Sequence, residues 1–434
     1  MFIYLNEKSV LYIYKKHGVI LLPNRDYIKI DKNIAEVIRL NYSGLSLYDA
    51  LESVGSDKEK TFIGVMQLLL EDKLVCYPAR DYDIEYRIVD ESDIFYPESI
   101  HFELTNKCNL RCYYCYNDSG VSMGDSFIET TILFDIITEL SMKGLSVIEL
   151  TGGEPLLHPD FVEIIDFCFK KLSLISVLTN GTMITERFVN SMMPYKSKLV
   201  FSISLDSYDE NEYEKKSGVK GSFKKASEGI KLLSDKGFIV RAAMTIDENN
   251  WNHIEETLLY AKSLGATKFT YSPVIPIGRA EKLTQFWTSI NSTDVMNYEM
   301  NVIDKYSDYI HLLDDTSMKE LSKYGGCGAG SRTYVMNPHG AVRMCATYAD
   351  CGIIGNLTKQ NSREVFSNVL CAVNSNLILP NDNICGNCLH IPFCKGCSLR
   401  TYMKIKEIGE DNCNWLQQCN NAQHWYKIMS DYNK

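Results

Sequence analysis

Cysteine placement constrains this chain more than any other feature. Of fifteen cysteines, Cys76 alone precedes residue 100, three crowd into residues 108–115, Cys168 stands apart, and ten follow residue 326. The start, Met1–Val10, carries Glu7 and Lys8 and lacks the apolar core of a secretion signal. No run approaches the roughly 18 apolar residues of a membrane span. The expected compartment is the cytoplasm, where thiols stay reduced. Clustered cysteines there point to metal or redox chemistry, not to a disulfide framework.

The 434 residues suffice for two or three domains, each with its own core. Hydrophobic residues at 45% and charged residues at 23% are ordinary for a globular protein, so the core needs no special explanation. A formal charge of −10 argues against a nucleic-acid surface, which shows as a basic patch.

The periodicity divides the chain at about residues 1–92, 93–290 and 291–434. In the first part, Val10–Tyr14, Val19–Leu22 and Tyr27–Ile30 read as short strands separated by turn signals. Helical spacing follows over Asn33–Leu40, Leu47–Val54 and Glu59–Glu71, and Leu74–Tyr77 reads as a closing strand. This is the order of an α+β winged-helix domain. DNA binding is the generic use of that fold, but acidic and basic residues here roughly balance. The polar stretch from Asp81 to Asp93 reads as a linker.

From Ile100 to Ser272 strand and helix alternate. Phe102–Thr105, Val147–Thr151, Ile175–Thr179, Leu199–Ser204, Ile239–Thr245 and Lys268–Ser272 are β-type runs, with amphipathic segments such as Glu129–Met142 and Phe223–Lys236 between them. Six such units predict an α/β fold, a parallel sheet forming a partial (β/α)6 barrel. Polar and glycine-containing motifs sit just after the strands, at the carboxyl edge where such sheets place their chemistry. Thr284–Lys323 reads as bridging helix, and from Gly325 glycine and cysteine dominate. A segment with so little apolar material is expected to be stapled by metal centres.

Directly after the first barrel strand comes Cys108-Asn-Leu-Arg-Cys112-Tyr-Tyr-Cys115. Three thiolates on one short loop can hold three corners of a 4Fe-4S cube, whose usual complement is four. The missing fourth leaves one iron open, as a catalytic metal site requires. A zinc knuckle needs a nearby fourth ligand, and His101 is separated from the loop by the strand.

The spacing C-x3-C-x2-C, with Tyr114 before the last cysteine, resembles the signature of the radical S-adenosylmethionine (SAM) superfamily. Thr151-Gly152-Gly153-Glu154-Pro155 resembles its GGEP motif, which receives the SAM amino group. Physically, Gly152 and Gly153 permit a close backbone approach and Glu154 suits an ammonium. Leu178-Thr179-Asn180-Gly181 and Ser202-Ile203-Ser204-Leu205-Asp206 resemble the segments that contact the SAM carboxylate and ribose. Asn180 thus falls to the carboxylate, and Ser204 and Asp206 to ribose hydroxyls. Relatives often carry arginine at the position of Ser217; Lys216 is the neighbouring substitute.

In the tail, Cys327, Gly340-x4-Cys345, Cys385-x2-Cys388-x5-Cys394-x2-Cys397 and Cys413 form a second constellation. It resembles the SPASM domain, which holds one or two auxiliary iron–sulfur clusters. Paired CxxC units also occur in zinc ribbons, though the x5 gap is shorter than a ribbon's loop. The resemblance gives Cys385, Cys388, Cys394 and Cys413 to an outer cluster and Cys327, Cys345 and Cys397 to an inner one. Cys351 or Cys371 is available as the inner cluster's fourth ligand, unless that iron is open to a substrate thiolate. Cys419 competes with Cys413. Cys76 and Cys168, among apolar neighbours, read as core.

Residues 10–77 resemble the peptide-recognition element, which captures a leader peptide as an added strand. Along residues 102–280 and 325–415 the chain is similar to subtilosin-type sactipeptide maturases. Phe102-Glu103-Leu104-Thr105-Asn106-Lys107-Cys108, Gly221-Ser222-Phe223, Ile230-Lys231-Leu232-Leu233-Ser234-Asp235, Cys327-Gly328-Ala329-Gly330 and Cys394-Lys395-Gly396-Cys397 carry that likeness. It implies an oxidoreductase that joins a cysteine sulfur to an α-carbon in a ribosomally made precursor peptide bearing a leader. The implied cofactors are a 4Fe-4S cluster that binds SAM, SAM itself, and auxiliary Fe–S clusters, with a flavodoxin- or ferredoxin-type electron donor. Other radical peptide modifications (a β- or γ-thioether, a carbon–carbon crosslink, epimerisation) and a sulfatase-maturing activity are the alternatives. A zinc-stabilised regulator would instead be colourless, where iron–sulfur protein is brown.

Overall fold

The computed structural model describes residues 1–5, 9–22, 26–80, 87–120, 126–283, 292–310, 328–348 and 352–432. Cys327 and Cys351 lie outside the described residues. The chain divides into two compact units, Met1–Pro97 with Thr138–Leu145, and Glu98–Ile137 with Ser146–Lys434.

In the first unit β1 is Phe2–Leu5, β2 Val10–Ile13, β3 His17–Leu21 and β4 Tyr27–Asp31; α1 spans Lys32–Tyr42, α2 Leu47–Glu52 and α3 Lys58–Leu70; β5 is Leu74–Tyr77 and β6 Arg87–Asp90. Strands β2, β3 and β4 form an antiparallel meander, and the sheet order is β4-β3-β2-β6. Helix α1 starts where the Asp31 carboxylate accepts the Asn33 amide at 2.8 Å, satisfying an orphan donor of the first turn. Its buried face, Ala35, Val37 and Ile38, packs with Ile3, Leu11, Ile20 and Val65 in one apolar core.

Three expectations change here. The strand Leu74–Tyr77 does not close the meander but pairs with Phe2–Leu5, an unexpected strand. Arg87–Asp90, expected within a linker, is a strand parallel to β2. Cys76 is exposed, because only Leu74 of β5 points into the core.

In the second unit, with α4 running on into the Thr138–Leu145 segment of the first, β7 is Ser99–Glu103, α4 Thr130–Met142, β8 Val147–Thr151, α5 Phe161–Lys171, β9 Leu174–Thr179, α6 Glu186–Met192, β10 Leu199–Ser204, α7 Glu210–Ser217, α8 Ser222–Asp235, β11 Ile239–Ile246, α9 Ile254–Ser263 and β12 Lys268–Pro273. Strands β7 to β12 lie side by side in chain order, all parallel, as the alternating pattern predicts. The first barrel strand begins earlier than expected, at Ser99. Alternation sorts the sheet's two faces, as in β11, where every second residue is buried. Helix α5 packs on β9, α8 on β10 and β11, and α9 on β11 and β12, with Cys168 buried in α5 as expected.

Helix α10, Ser292–Tyr306, leads into the tail, whose strands are β13 Thr333–Met336, β14 Ala341–Arg343 and β15 Ile353–Asn356. The tail does not stand apart: β13 pairs parallel with β7, and β14 and β15 follow antiparallel, so the sheet has nine strands among the described residues. Short helices complete it: α11 Ser362–Phe366, α12 Val369–Ser375, α13 Asp382–Cys385, α14 Ile391–Cys394, α15 Ser398–Ile408, α16 Asn414–Gln418 and α17 Asn420–Tyr432. No helix among the described residues is long and apolar enough to cross a membrane.

Candidate active site at the barrel mouth

The three-cysteine loop leaves β7 and is held by backbone bonds from both sides. Gly153 donates to Thr105 O at 2.6 Å and Glu154 to Lys107 O at 2.8 Å, while Arg111 donates to Ser217 O at 2.9 Å and Tyr113 to Lys216 O at 3.2 Å. The two glycines are explained by the first pair of contacts. A Cβ on Gly152 would overlap the carbonyl of Thr105, and one on Gly153 the carbonyl of Lys107. Their close approach is therefore to the loop itself, before any ligand is considered.

Cys108, Cys112 and Cys115 lie close together: the charge of Cys115 disfavours ionisation of Cys108, and those of Cys115 and Cys108 disfavour ionisation of Cys112. Burial pushes Cys108 up to about 11 and Cys112 higher still, so metal must displace protons to bind. The Leu110 amide donates to Cys108 Sγ at 3.4 Å, and Asn180 Nδ2 lies 3.9 Å from it. Amide donors at ligand sulfur are the usual environment of a protein-held iron–sulfur cluster, and this set of three thiols with nearby N–H groups fits one.

Asn180 is fixed beside the loop, donating to Asn109 Oδ1 at 2.8 Å and accepting from Thr182. Glu154 is fully buried, and its carboxylate already accepts from Thr179 Oγ1 at 2.6 Å, Asn180 N at 2.9 Å and Leu156 N at 3.2 Å. Burial raises its pKa to about 7 against the pull of those three donors. Glu154 thus ties the β8 turn to the β9 turn, a role its expected pairing with an ammonium did not include.

Asp206, also buried, accepts the Thr245 amide at 2.7 Å with one oxygen and the Tyr114 hydroxyl with the other. Ser204, half-buried, ends β10 nearby in sequence. Lys216 is buried and bonds Asp247 at 2.6 Å, with its ammonium 5.4 and 5.2 Å from the ring centres of Tyr113 and Tyr114. The Tyr113 hydroxyl donates to the same Asp247 oxygen at 2.5 Å. Burial works to raise the Asp247 pKa, but Lys216 and its other donors hold it below the usual carboxylate range. Lys216 is thus committed to a buried pair, and losing either member would strand the other at a cost of about 3–5 kcal/mol.

The structure adds residues that sequence reasoning did not single out. Arg343 of β14 bonds the buried Glu103 of β7 at 2.6 Å, and the Tyr116 hydroxyl donates to the same oxygen at 3.3 Å. One carboxylate therefore joins the residue after Cys115 to a strand that ends two residues before Cys345. Arg279, after β12, grips the three-cysteine loop through several donors. The dipeptide Gly278-Arg279 at a strand end was the available signal.

In the tail, Cys385, Cys388, Cys394 and Cys413 line one pocket with Lys404 and Trp415, and the charges of Cys388 and Cys413 add to burial in raising the Cys385 and Cys394 thiols. Burial raises Cys394 to about 12. Among the described residues no three His, Cys, Asp or Glu side chains form a group suited to one metal ion. A four-iron cube is wider than a single ion, and four thiols around a cavity suit it. Cys413 begins α16, where burial raises its thiol against the pull of the Leu416 and Trp415 amides; Cys419 ends the same helix and does not line the pocket. Burial raises the Cys345 thiol and the charge of Cys397 adds to it, whereas Cys371 is buried against the Tyr334 hydroxyl. Replacing Cys413 by Ala should remove close to one cluster's iron, about four atoms. Replacing Cys419 by Ala should leave the iron content unchanged, as measured on reconstituted protein.

The radical SAM superfamily model matches residues 102–261. The antilisterial bacteriocin subtilosin biosynthesis protein AlbA of Bacillus subtilis is 32% identical over 334 residues, covering 74% of this chain and 72% of AlbA. The sporulation killing factor maturation protein SkfB of the same organism is 26% identical over 259 residues, 58% of this chain and 61% of SkfB. Among solved structures, Streptococcus suis SuiB bound to precursor peptide SuiA superposes with a TM-score of 0.59 at 16% identity, over 93% of this chain and 97% of that one, a likeness of fold. A SAM-binding barrel with a cysteine-rich tail and a 32% identical relative place this chain in the radical SAM superfamily, in the family of the subtilosin-type maturases.

Proposed function

We propose that this enzyme matures a ribosomally made peptide by joining a cysteine sulfur to the α-carbon of another residue. The observation that carries the reading is the pairing of two thiol sets in one unit: three on a loop at the barrel mouth and four around a tail cavity. The likeness to AlbA and SkfB, whose names link them to bacteriocin and killing-factor maturation, supports it.

Cys108, Cys112 and Cys115 would hold the 4Fe-4S cluster that binds SAM, leaving one iron for the cofactor. When bound, that pair supplies a 5′-deoxyadenosyl radical able to abstract hydrogen. Around it, Gly152, Gly153 and Glu154 would receive the SAM amino group, Asn180 would meet its carboxylate, and Ser204 and Asp206 its ribose. Tyr114, pinned by Asp206 and flanked by Lys216, gives the pocket a rigid aromatic wall. Cys385, Cys388, Cys394 and Cys413 would hold the outer auxiliary cluster. Cys327, Cys345 and Cys397 would hold the inner one, with an open iron for the substrate thiolate. The pairing of Cys371 with Tyr334 favours that open site over Cys371 as fourth ligand.

The leader of the precursor would add as a strand to β4, which ends its sheet and pairs only with β3 among the described strands. Phe62 and Ile63 of α3, 43% and 53% exposed, are apolar side chains of the kind a peptide covers. A flavodoxin- or ferredoxin-type protein would supply electrons, and thiolate-held iron suits the reducing cytoplasm.

Each link would pass one hydrogen atom from the α-carbon to the 5′-deoxyadenosyl radical and the thiol proton to solvent, and an auxiliary cluster would take up the one electron left over. The modified peptide should therefore lose two hydrogens per link and resist alkylation at the linked cysteine. On activation in the mass spectrometer an α-link should open more readily than a β- or γ-link. A product of unchanged mass that takes up deuterium from heavy water would indicate epimerisation and overturn the thioether reading.

A further inference from the structure

The three-cysteine loop is gripped from the far end of the barrel by one side chain. Arg279 lies after β12, the last barrel strand. Its Nε donates to Cys112 O at 2.9 Å, and its Nη1 donates to Asp118 Oδ1 and to Ser119 O, each at 2.8 Å. Its own backbone amide donates to Cys115 O at 3.0 Å. One residue thus contacts the loop at four points, from the second cysteine to four residues past the third.

Two further observations show that the loop is shaped to receive it. Asp118, which pairs with the guanidinium, has φ +48°, a left-handed conformation uncommon for a side-chain-bearing residue. Gly278, with φ +56°, presses on the same loop, and a Cβ there would overlap the carbonyl of Tyr116. The backbone is therefore bent toward Arg279 from one side and relieved of a side chain on the other. A rigid planar fork with several donors is the chemistry that can hold two carbonyls and a carboxylate at once; a lysine offers no such fixed spacing.

We infer that Arg279 is the positioning residue of the catalytic loop, setting the spacing of the Cys108, Cys112 and Cys115 thiolates. The inference rests on the assignment of those three cysteines to the SAM-binding cluster. Groups that orient ligands from outside the coordination shell typically carry 10–100-fold in affinity or activity.

The test compares the reconstituted full chain with Arg279→Ala, Arg279→Lys and Asp118→Asn. Amide hydrogen exchange over residues 108–120 should quicken in Arg279→Ala. The electron paramagnetic resonance signal of the reduced cluster should lose its SAM-dependent shift, and 5′-deoxyadenosine formation should fall by about tenfold or more. Auxiliary-cluster signals and the melting temperature should stay near wild type. Arg279→Lys should recover only part of the rate, and Asp118→Asn should cost a few-fold. Wild-type exchange, spectrum and rate in Arg279→Ala would overturn the inference, as would equal loss of the auxiliary signals. Should the Cys108/Cys112/Cys115 triple alanine variant still cleave SAM, the cluster assignment itself fails, which separates the two outcomes.

Discussion

A chain in which Cys108, Cys112 and Cys115 are all alanine is expected to make no 5′-deoxyadenosine and yet remain brown. The loop would supply its metal ligands through those three thiols, while its shape is held by backbone contacts with Gly153, Glu154, Lys216 and Ser217 and by the Arg279 fork. Alanine keeps those contacts, so the barrel should fold. With three four-iron clusters in the wild type, iron should fall by about one third, from about twelve atoms to about eight. The remaining colour should come from the tail, where Cys385, Cys388, Cys394 and Cys413 line their own pocket. Iron analysis together with chromatography of cleaved SAM checks both halves. Residual 5′-deoxyadenosine from the triple variant would remove the catalytic role from this loop.

Sequence alone revealed what is local in the chain. The three-cysteine loop and the CxxC pairs need only short spacings, and the strand–helix alternation of β7 to β12 repeats often enough to be read directly. What stayed hidden depends on long-range pairing. Arg279 meets Cys112 across 167 residues, and Arg343 meets Glu103 across 240. No periodicity announces such contacts. The same limit explains the tail: β13 looks like an isolated apolar run, and only its register with β7 shows that it extends the barrel sheet. Cys76 failed for a different reason. Its apolar neighbours suggested a core, but a two-stranded sheet can leave most of a strand in solvent, and here Val75, Cys76 and Tyr77 are exposed. Glu154 marks a third kind of limit, since its motif was visible but its three backbone and hydroxyl donors were not.

Proline substitutions along β4 should separate peptide capture from radical chemistry. In an antiparallel pair, alternate residues direct their amides toward the partner strand and away from it. Either Tyr27, Lys29 and Asp31 or Ile28 and Ile30 therefore present N–H groups to the free edge. Proline at an inward position deletes a ladder bond to β3 and should lower the melting temperature. Proline at an outward position leaves the ladder intact but removes a donor and places a ring against any incoming strand. The lost bond alone is worth about 0.5–1.5 kcal/mol, or up to about tenfold in affinity, and the ring's clash adds to it. Single outward variants should therefore weaken leader binding by tenfold or more, and a double variant should abolish peptide modification at working concentrations. SAM cleavage without peptide should be unchanged in both, because every residue assigned to the SAM site lies after residue 100. Calorimetry with a synthetic leader, mass analysis of the treated precursor and the rate of 5′-deoxyadenosine formation read the three effects separately. Unimpaired modification by well-folded variants at all five positions would exclude strand addition at β4 as the route by which the substrate is held.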